Sequence, residues 1–284
     1  MAVMTKMHHK KITQGTTKAV YESDMDSRYV IGFEDGLRVW DGPSQKQISG
    51  KGIMSNRISA HLMTCLESIG LPTHFLKSLN MREQEVRKLD PMQIIFRVRN
   101  IACGSLASRL GLEEGAVLPR PIIEFYLKKK TGDYVLVTED HIVAFQWADP
   151  VEMEEIITIA YRSNDFLNGM MMGIGIRLVD FQMELGRLYG EYGELYLMIM
   201  DELSPDSMRL WDIKTNKPFV TDIESYQEIA VRLGIIPREG LVKHGNFNEQ
   251  LAEGLDRIEN ILANDKTRKI RSINSRQTQK KSGF

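Results

Sequence analysis

Cysteine is nearly absent: the 284 residues hold two, Cys65 and Cys103. Two cysteines cannot frame a disulfide scaffold, and their separation has no metal-ligand spacing. No apolar run approaches the roughly 20 residues that a membrane-spanning helix needs. The start, Met1–Lys11, has lysines and the pair His8 and His9, but no apolar core of a secretory signal. Neither sign of charge is in excess. Lys and Arg total 37 against 38 Asp and Glu, for a net charge of −1, so no global field points to nucleic acid or membrane. No nucleophilic triad stands out. These absences leave a chain suited to a reducing cytoplasm, long enough to bury a large core as one two-lobed unit or two small domains.

The most informative stretch runs from Ile176 to Asp212. Two apolar runs flank a turn-rich Arg187–Glu194, the pattern of a β-hairpin. Side chains alternate along a strand, so Asp180, Gln182 and Glu184 share one face while Val179, Phe181, Met183 and Leu185 fill the other. Asp201 ends the partner strand, where an antiparallel return brings it towards the acidic row. Glu184 and Asp201 then make a candidate hard-cation site, with Mg²⁺ the usual choice when phosphate is a co-ligand. A wet face of an ordinary amphipathic hairpin fits the alternation as well. Beyond it, Asp201-Glu202-Leu203-Ser204-Pro205-Asp206-Ser207-Met208-Arg209-Leu210-Trp211-Asp212 is dense in charge and hydroxyls. Such a loop can hold an anion through Ser207 and Arg209 and a metal through Asp201.

Elsewhere the chain reads as short strands at Lys10–Tyr21, Arg28–Phe33 and Leu37–Trp40, a helix over 53–69, and strands at His74–Leu79 and Gln84–Leu89. The helix stripe is Met54, Ile58, Leu62, Cys65 and Ile69. Asp90-Pro91-Met92 is the expected hinge, because proline breaks pairing. Ile94–Asn100 is a strand with Arg97 and Arg99 on one face, leading into Gly104-Ser105, a phosphate or carboxylate grip. A short helix over Leu106–Leu112, a hairpin of Ile122–Lys130 with Tyr134–Val137, and a long helix over Glu152–Gly173 follow. The long helix should bury Ile156, Ile159, Ala160, Phe166, Leu167 and Met170. A helix over Ile223–Leu233, a linker over Pro237–Asn248, an amphipathic helix over Gln250–Ala263 and a basic tail over Lys266–Lys281 close the chain. The tail reads as a solubilising segment, or as an arm for a partner or nucleic acid.

Residues 201–212 resemble the signature of the SAICAR synthetase (phosphoribosylaminoimidazole-succinocarboxamide synthase) family. Leu178–Gly186 resembles a second signature of that family, and Arg99–Leu106 a third. The similarity extends, with gaps, from near Ile12 to near Ile236. It implies an α+β fold of two lobes in a kinase-like arrangement: a small antiparallel N-terminal lobe over 12–90 and a larger α+β lobe over 91–236, with 1–11 a disordered leader and 237–284 an extension. It also implies an ATP-dependent ligase of de novo purine synthesis. ATP would phosphorylate the carboxylate of an imidazole ribonucleotide, and aspartate would attack the acyl phosphate.

Carried over residue by residue, Gly15, Thr16, Thr17 and Lys18 match the family's ATP-contacting Gly-Lys-Ala-Lys element, and the adenine lies near Met92. The resemblance gives Arg99, Ser105 and Arg209 the ribose phosphate. Asp35, Lys128, Asp206 and Ser207 fall on the substrate side. Glu184 and Asp201 take Mg²⁺, with Lys18 and Asp180 completing the catalytic set. A homo-oligomer is the expected assembly. The chain also departs from the pattern. Thr16 and Gln182 replace lysines, Ile95 replaces a glutamate, and Glu34–Gly42 is rebuilt. A Lys-Asp-x-Phe-Arg segment after Asp212 is missing. Three readings stay open: the family's own ligase, a related ligase with another acid or amine, and a non-catalytic paralogue that binds nucleotide or a partner.

Overall fold

The computed structural model describes residues 10–37, 46–129 and 134–238. Residues 1–235 form one compact unit and 236–284 a second, of which only the first three residues are described. The expected helix over Gln250–Ala263, the basic tail, and most of the expected strand Leu37–Trp40 lie outside the described residues.

The first sheet is antiparallel. It contains β1 (Lys11–Gln14), β2 (Lys18–Glu22), β3 (Arg28–Phe33), β4 (Phe75–Ser78) and β5 (Glu83–Arg87), in the order β1-β2-β3-β5-β4. Helix α1 (Lys51–Ser68) packs against it and buries Met54, Ile58, Leu62 and Leu66. Cys65 and Ile69 are only half-buried, one position off the stripe read from the sequence.

The second sheet begins where the hinge was expected. Strand β6 (Asp90–Ile101) starts at Asp90, so Pro91 lies inside a strand rather than breaking one. Proline has no N–H to give a ladder, and strands accept it near their ends or at a bulge. The β6 register indeed shifts between Pro91 and Ile95. Helix α2 (Ser105–Leu110), strands β7 (Val117–Lys128) and β8 (Tyr134–Val137), and helices α3 (Glu139–Ala144) and α4 (Pro150–Gly173) follow. Helix α3 was not legible from periodicity, being six residues long, but Thr138 caps it with a side-chain bond to the His141 N–H. Helix α4 starts on a capping box of Asp149 and Glu152 with Pro150 in its first turn. It buries Ile156, Ile159, Ala160 and Leu167 as expected. Phe166 and Met170 are half-exposed, and Ser163, Asn164 and Met171 are buried instead.

Strand β9 (Ile176–Tyr189) is central to this sheet, and the chain ends its described part with β10 (Leu195–Met200), β11 (Met208–Asp212), β12 (Lys217–Pro218) and α5 (Ile223–Arg232). The expected turn is shorter than Arg187–Glu194, because β9 continues to Tyr189. One edge of β9 pairs with β6. Its other edge pairs with β11 over the first half and with β10 over the second. The loop between β10 and β11 therefore sits at the split, beside Gln182 and Glu184, and Gln182 N donates to Ser207 O at 2.8 Å. Asn100, on the apolar face of β6, donates to Asn164 of α4 at 2.8 Å, so α4 covers that face. The opposite face carries the charges. No helix among the described residues is long and apolar enough to cross a membrane.

Candidate active site

The polar face is a ladder of cross-strand pairs. Asp180 lies opposite Arg99, Gln182 opposite Arg97, and Glu184 opposite Ile95. The alternation read from the sequence therefore holds, with Glu124, Tyr126 and Lys128 of β7 adding a further row that the sequence reading did not join to it. All three residues of the β9 row are buried. A wet outer face is excluded, because these polar groups bond to one another.

At the Glu184 end, Lys128 Nζ donates to Glu184 at 3.2 Å. Lys18 Nζ lies 2.5 Å from Asp201 Oδ1 and 3.0 Å from Glu202 Oε1. Thr17 reaches the same Glu202 oxygen at 3.4 Å. Burial, and then the Asp201 charge, push Glu184 above the usual carboxylate range, while Lys128 and Lys18 oppose them. Burial also raises Asp201, but Lys18 outweighs it and the net shift is downward. Burial works against the Lys18 charge, and Asp201 and Glu202 overcome it, so its pKa rises. Lysines thus balance the carboxylates, and the Lys128 side of the cluster stays open to solvent. Among the described residues, no group of three or more His, Cys, Asp or Glu side chains could hold a metal. Two carboxylates nevertheless suit Mg²⁺, which keeps waters and takes its remaining oxygens from substrate phosphates.

Asp201 adopts φ 70°, a left-handed conformation that asparagine and aspartate tolerate best among side-chain-bearing residues. His74, 2 % exposed, places Nε2 3.0 Å from the Asp201 carbonyl oxygen. Burial pushes this imidazole down to about 4, so the neutral ring carries its proton on Nε2 and donates it. In the unfolded chain a histidine titrates near 6.5, so below that pH the unfolded state binds the extra proton. The His74 contribution is complete above about pH 6.5 and is lost as pH falls towards 4. Urea unfolding should show a loss of about 2 kcal/mol between pH 7 and pH 5 from this residue. His74→Gln should lack that part of the fall, and an unchanged fall would contradict it.

At the other end Arg99 is fully buried. It donates to Asp180 and Glu124, each at 2.8 Å, and to Ser105 Oγ at 3.2 Å. Arg209 Nε lies 3.8 Å from Asp180, and its Nη1 lies 3.2 Å from the Cys103 sulfur. Gly104 makes this approach possible: a Cβ there would meet Arg209 Nη1 at 2.6 Å, and its φ of 58° also favours glycine. Arg99, Ser105 and Arg209 therefore meet around Asp180. Arg109 adds an ion pair to Glu124. Between the two ends, burial lowers the Arg97 guanidinium to about 10 while Asp180 acts upward, which leaves it charged at neutral pH.

Other candidates take different places. Both oxygens of Asp35 are held by Arg82 at 2.9 Å and by the Gly50 and Gly52 N–H groups, so its side chain anchors the start of α1. Burial raises Asp35, and these bonds lower it further than burial raises it. Asp206 accepts from Lys51 at 2.6 Å, Ser55 at 3.1 Å and Tyr226 at 2.9 Å, which ties α1 and α5 to the loop. Ser207 Oγ closes the same loop on Ser204. Gly15 and Thr16 are exposed at the β1–β2 turn and line a cleft of about 290 Å³ with Glu34 and Lys46. Met92 is buried in β6. The sequence reading missed Glu202, Lys51, His74 and Glu124. Glu202 adjoins Asp201 in the signature, and Lys51 lies between Gly50 and Gly52, so both had local signals.

Arginines gather at one end of a polar face, with lysine-balanced carboxylates two rungs away. The fold carries this face on an antiparallel sheet beside a smaller one. The chain belongs to the SAICAR synthetase family, whose model matches residues 11–232. A phosphoribosylaminoimidazole-succinocarboxamide synthase of Brucella anthropi is 48% identical over 236 residues, covering 80% of this chain and 92% of that protein. The crystal structure of the Ehrlichia chaffeensis enzyme of that name superposes with a TM-score of 0.75 at 36% identity, over 81% of this chain and 100% of that one. A SAICAR synthetase in complex with ADP superposes with a TM-score of 0.73 at 31% identity, over 79% and 97%. The α+β architecture with two sheet-rich lobes, expected from the resemblance, is thus the observed one.

Proposed function

We propose that this chain joins aspartate to carboxyaminoimidazole ribonucleotide using ATP, through an acyl phosphate. The observation that carries the reading is one polar sheet face with the Arg99–Ser105–Arg209 cluster at one end and Glu184, Asp201, Lys18 and Lys128 at the other. In this reading residues 12–90 supply the nucleotide side through the Gly15–Lys18 turn, and residues 91–236 the substrate side, with Met92 at the start of that lobe beside the adenine. The setting is cytoplasmic and the assembly a homo-oligomer.

Arg209 and Ser105 grip the ribose phosphate, with the enclosed Arg99 orienting Ser105 from behind, and the imidazole carboxylate is fixed towards the carboxylate–lysine end. A carboxylate oxygen attacks the γ-phosphorus, and ADP leaves. The aspartate amine then attacks the acyl carbon, loses a proton, and inorganic phosphate departs. Lys18 and Lys128 neutralise the transferring group, and Glu184 and Asp201 would hold Mg²⁺, which when bound draws charge from the phosphates. Asp180 is enclosed against Arg99, so it acts by positioning that arginine. Of the positions where the chain departs from the family pattern, Gln182 accepts a hydrogen bond from Arg97, so its rung remains cationic.

ADP release by the purified chain tests the proposal. Release should require the imidazole nucleotide and aspartate together with ATP and Mg²⁺. Release with a different amine in place of aspartate would point instead to a related ligase, and nucleotide binding without release to a non-catalytic protein.

A further inference from the structure

The middle rung of the polar face lies between the residues read as gripping the ribose phosphate and the carboxylates read as the metal side. Its residues are Arg97 and Gln182, paired in register between β6 and β9. Residues on the same face of a strand are spaced by roughly 6.6–6.8 Å. The Arg97 rung therefore lies about 7 Å from the Asp180–Arg99 rung on one side and from the Glu184 rung on the other. A ligand anchored by phosphate at the first rung, and phosphorylated at the third, must carry its reacting group across the middle one.

We infer that Arg97 receives the reacting carboxylate of the imidazole nucleotide. Arg97 Nη2 donates to Gln182 Oε1 at 3.3 Å, and its guanidinium lies 5.7 Å from the centre of the Tyr126 ring. The amide and the ring fix the plane of the fork. A planar fork of N–H groups matches a carboxylate with two parallel bonds, which a lysine cannot do. Arg97 is 8 % exposed, so little water competes for it. This inference rests on the ligase reading and adds a specificity residue to it: the carboxylated imidazole is told from its uncarboxylated parent at Arg97.

Two ligands that differ only in that carboxylate test it: carboxyaminoimidazole ribonucleotide and aminoimidazole ribonucleotide. Calorimetry on the wild type, Arg97→Gln and Arg97→Lys measures both affinities. Arg97→Gln should weaken the carboxylated ligand by about 10- to 100-fold, the range for a lost charge-assisted pair, and leave the other within about twofold. Arg97→Lys should recover part of the loss and carries the comparison if the glutamine variant does not fold. Equal weakening of both ligands, or of neither, overturns the inference. A wild type that binds neither ligand overturns the ligase reading instead.

Discussion

Asp201→Asn should lower kcat/KM by about 10²- to 10³-fold, the scale of losing one preorganised electrostatic group at a transferring phosphoryl. Asparagine has the shape of aspartate and tolerates the φ of 70° that this position adopts. It also leaves the backbone carbonyl available to His74. What it removes is one of the two negative charges opposite Lys18, at 2.5 Å. The lost rate therefore reports charge rather than folding. The Mg²⁺ concentration for half-maximal rate should rise at the same time, because one of two proposed oxygen ligands has lost its charge. Steady-state rates against Mg²⁺, beside a thermal unfolding curve, measure both. A variant with near-normal rate and Mg²⁺ dependence would remove Asp201 from the reaction.

Arg99→Gln should cost about 3–5 kcal/mol of stability, the range for breaking a buried ion pair by deleting one partner. Arg99 and Asp180 are both completely enclosed, and Glu124 is nearly so. Asp180 Oδ1 has no hydrogen-bond partner among the described residues, so Arg99 is the main compensation for that carboxylate. Without the guanidinium Glu124 keeps only Arg109 as an ion-pair partner and Asp180 only the more distant Arg209, in a poorly solvated space. Urea unfolding at pH 7 measures the loss. Adding Asp180→Asn to the variant should restore part of it, since the second substitution removes one of the stranded charges. A loss below about 1 kcal/mol, the value of an exposed pair, would show that the site is wetter than the geometry implies.

Much of the site was legible because it follows local periodicity. Alternation along 176–186 placed Asp180, Gln182 and Glu184 on one face, and the structure joins that face to Arg97 and Arg99. The approach of Asp201 to this row followed from the hairpin return, which ends with Met200 opposite Glu184. What escaped is long-range. Nothing within 34–42 says that Asp35 will bond Arg82, or that Asp206 will find Lys51 and Tyr226. Such partners are set by how helices and loops pack, and spacing in the chain does not encode them. Pro91 misled for a different reason. Its effect on pairing is real, but it falls near the beginning of β6, where a register shift absorbs it. The complete burial of Asp180 is a further feature that a single sequence shows only as a pattern.

The most direct test of the account uses substrate whose carboxylate carries ¹⁸O. If ATP phosphorylates that carboxylate at the polar face, one labelled oxygen must pass into the inorganic phosphate released with each amide formed. Mass spectrometry of the phosphate reads it. Labelled phosphate is the predicted result, and product formed with unlabelled phosphate would contradict the acyl phosphate and the site built around it.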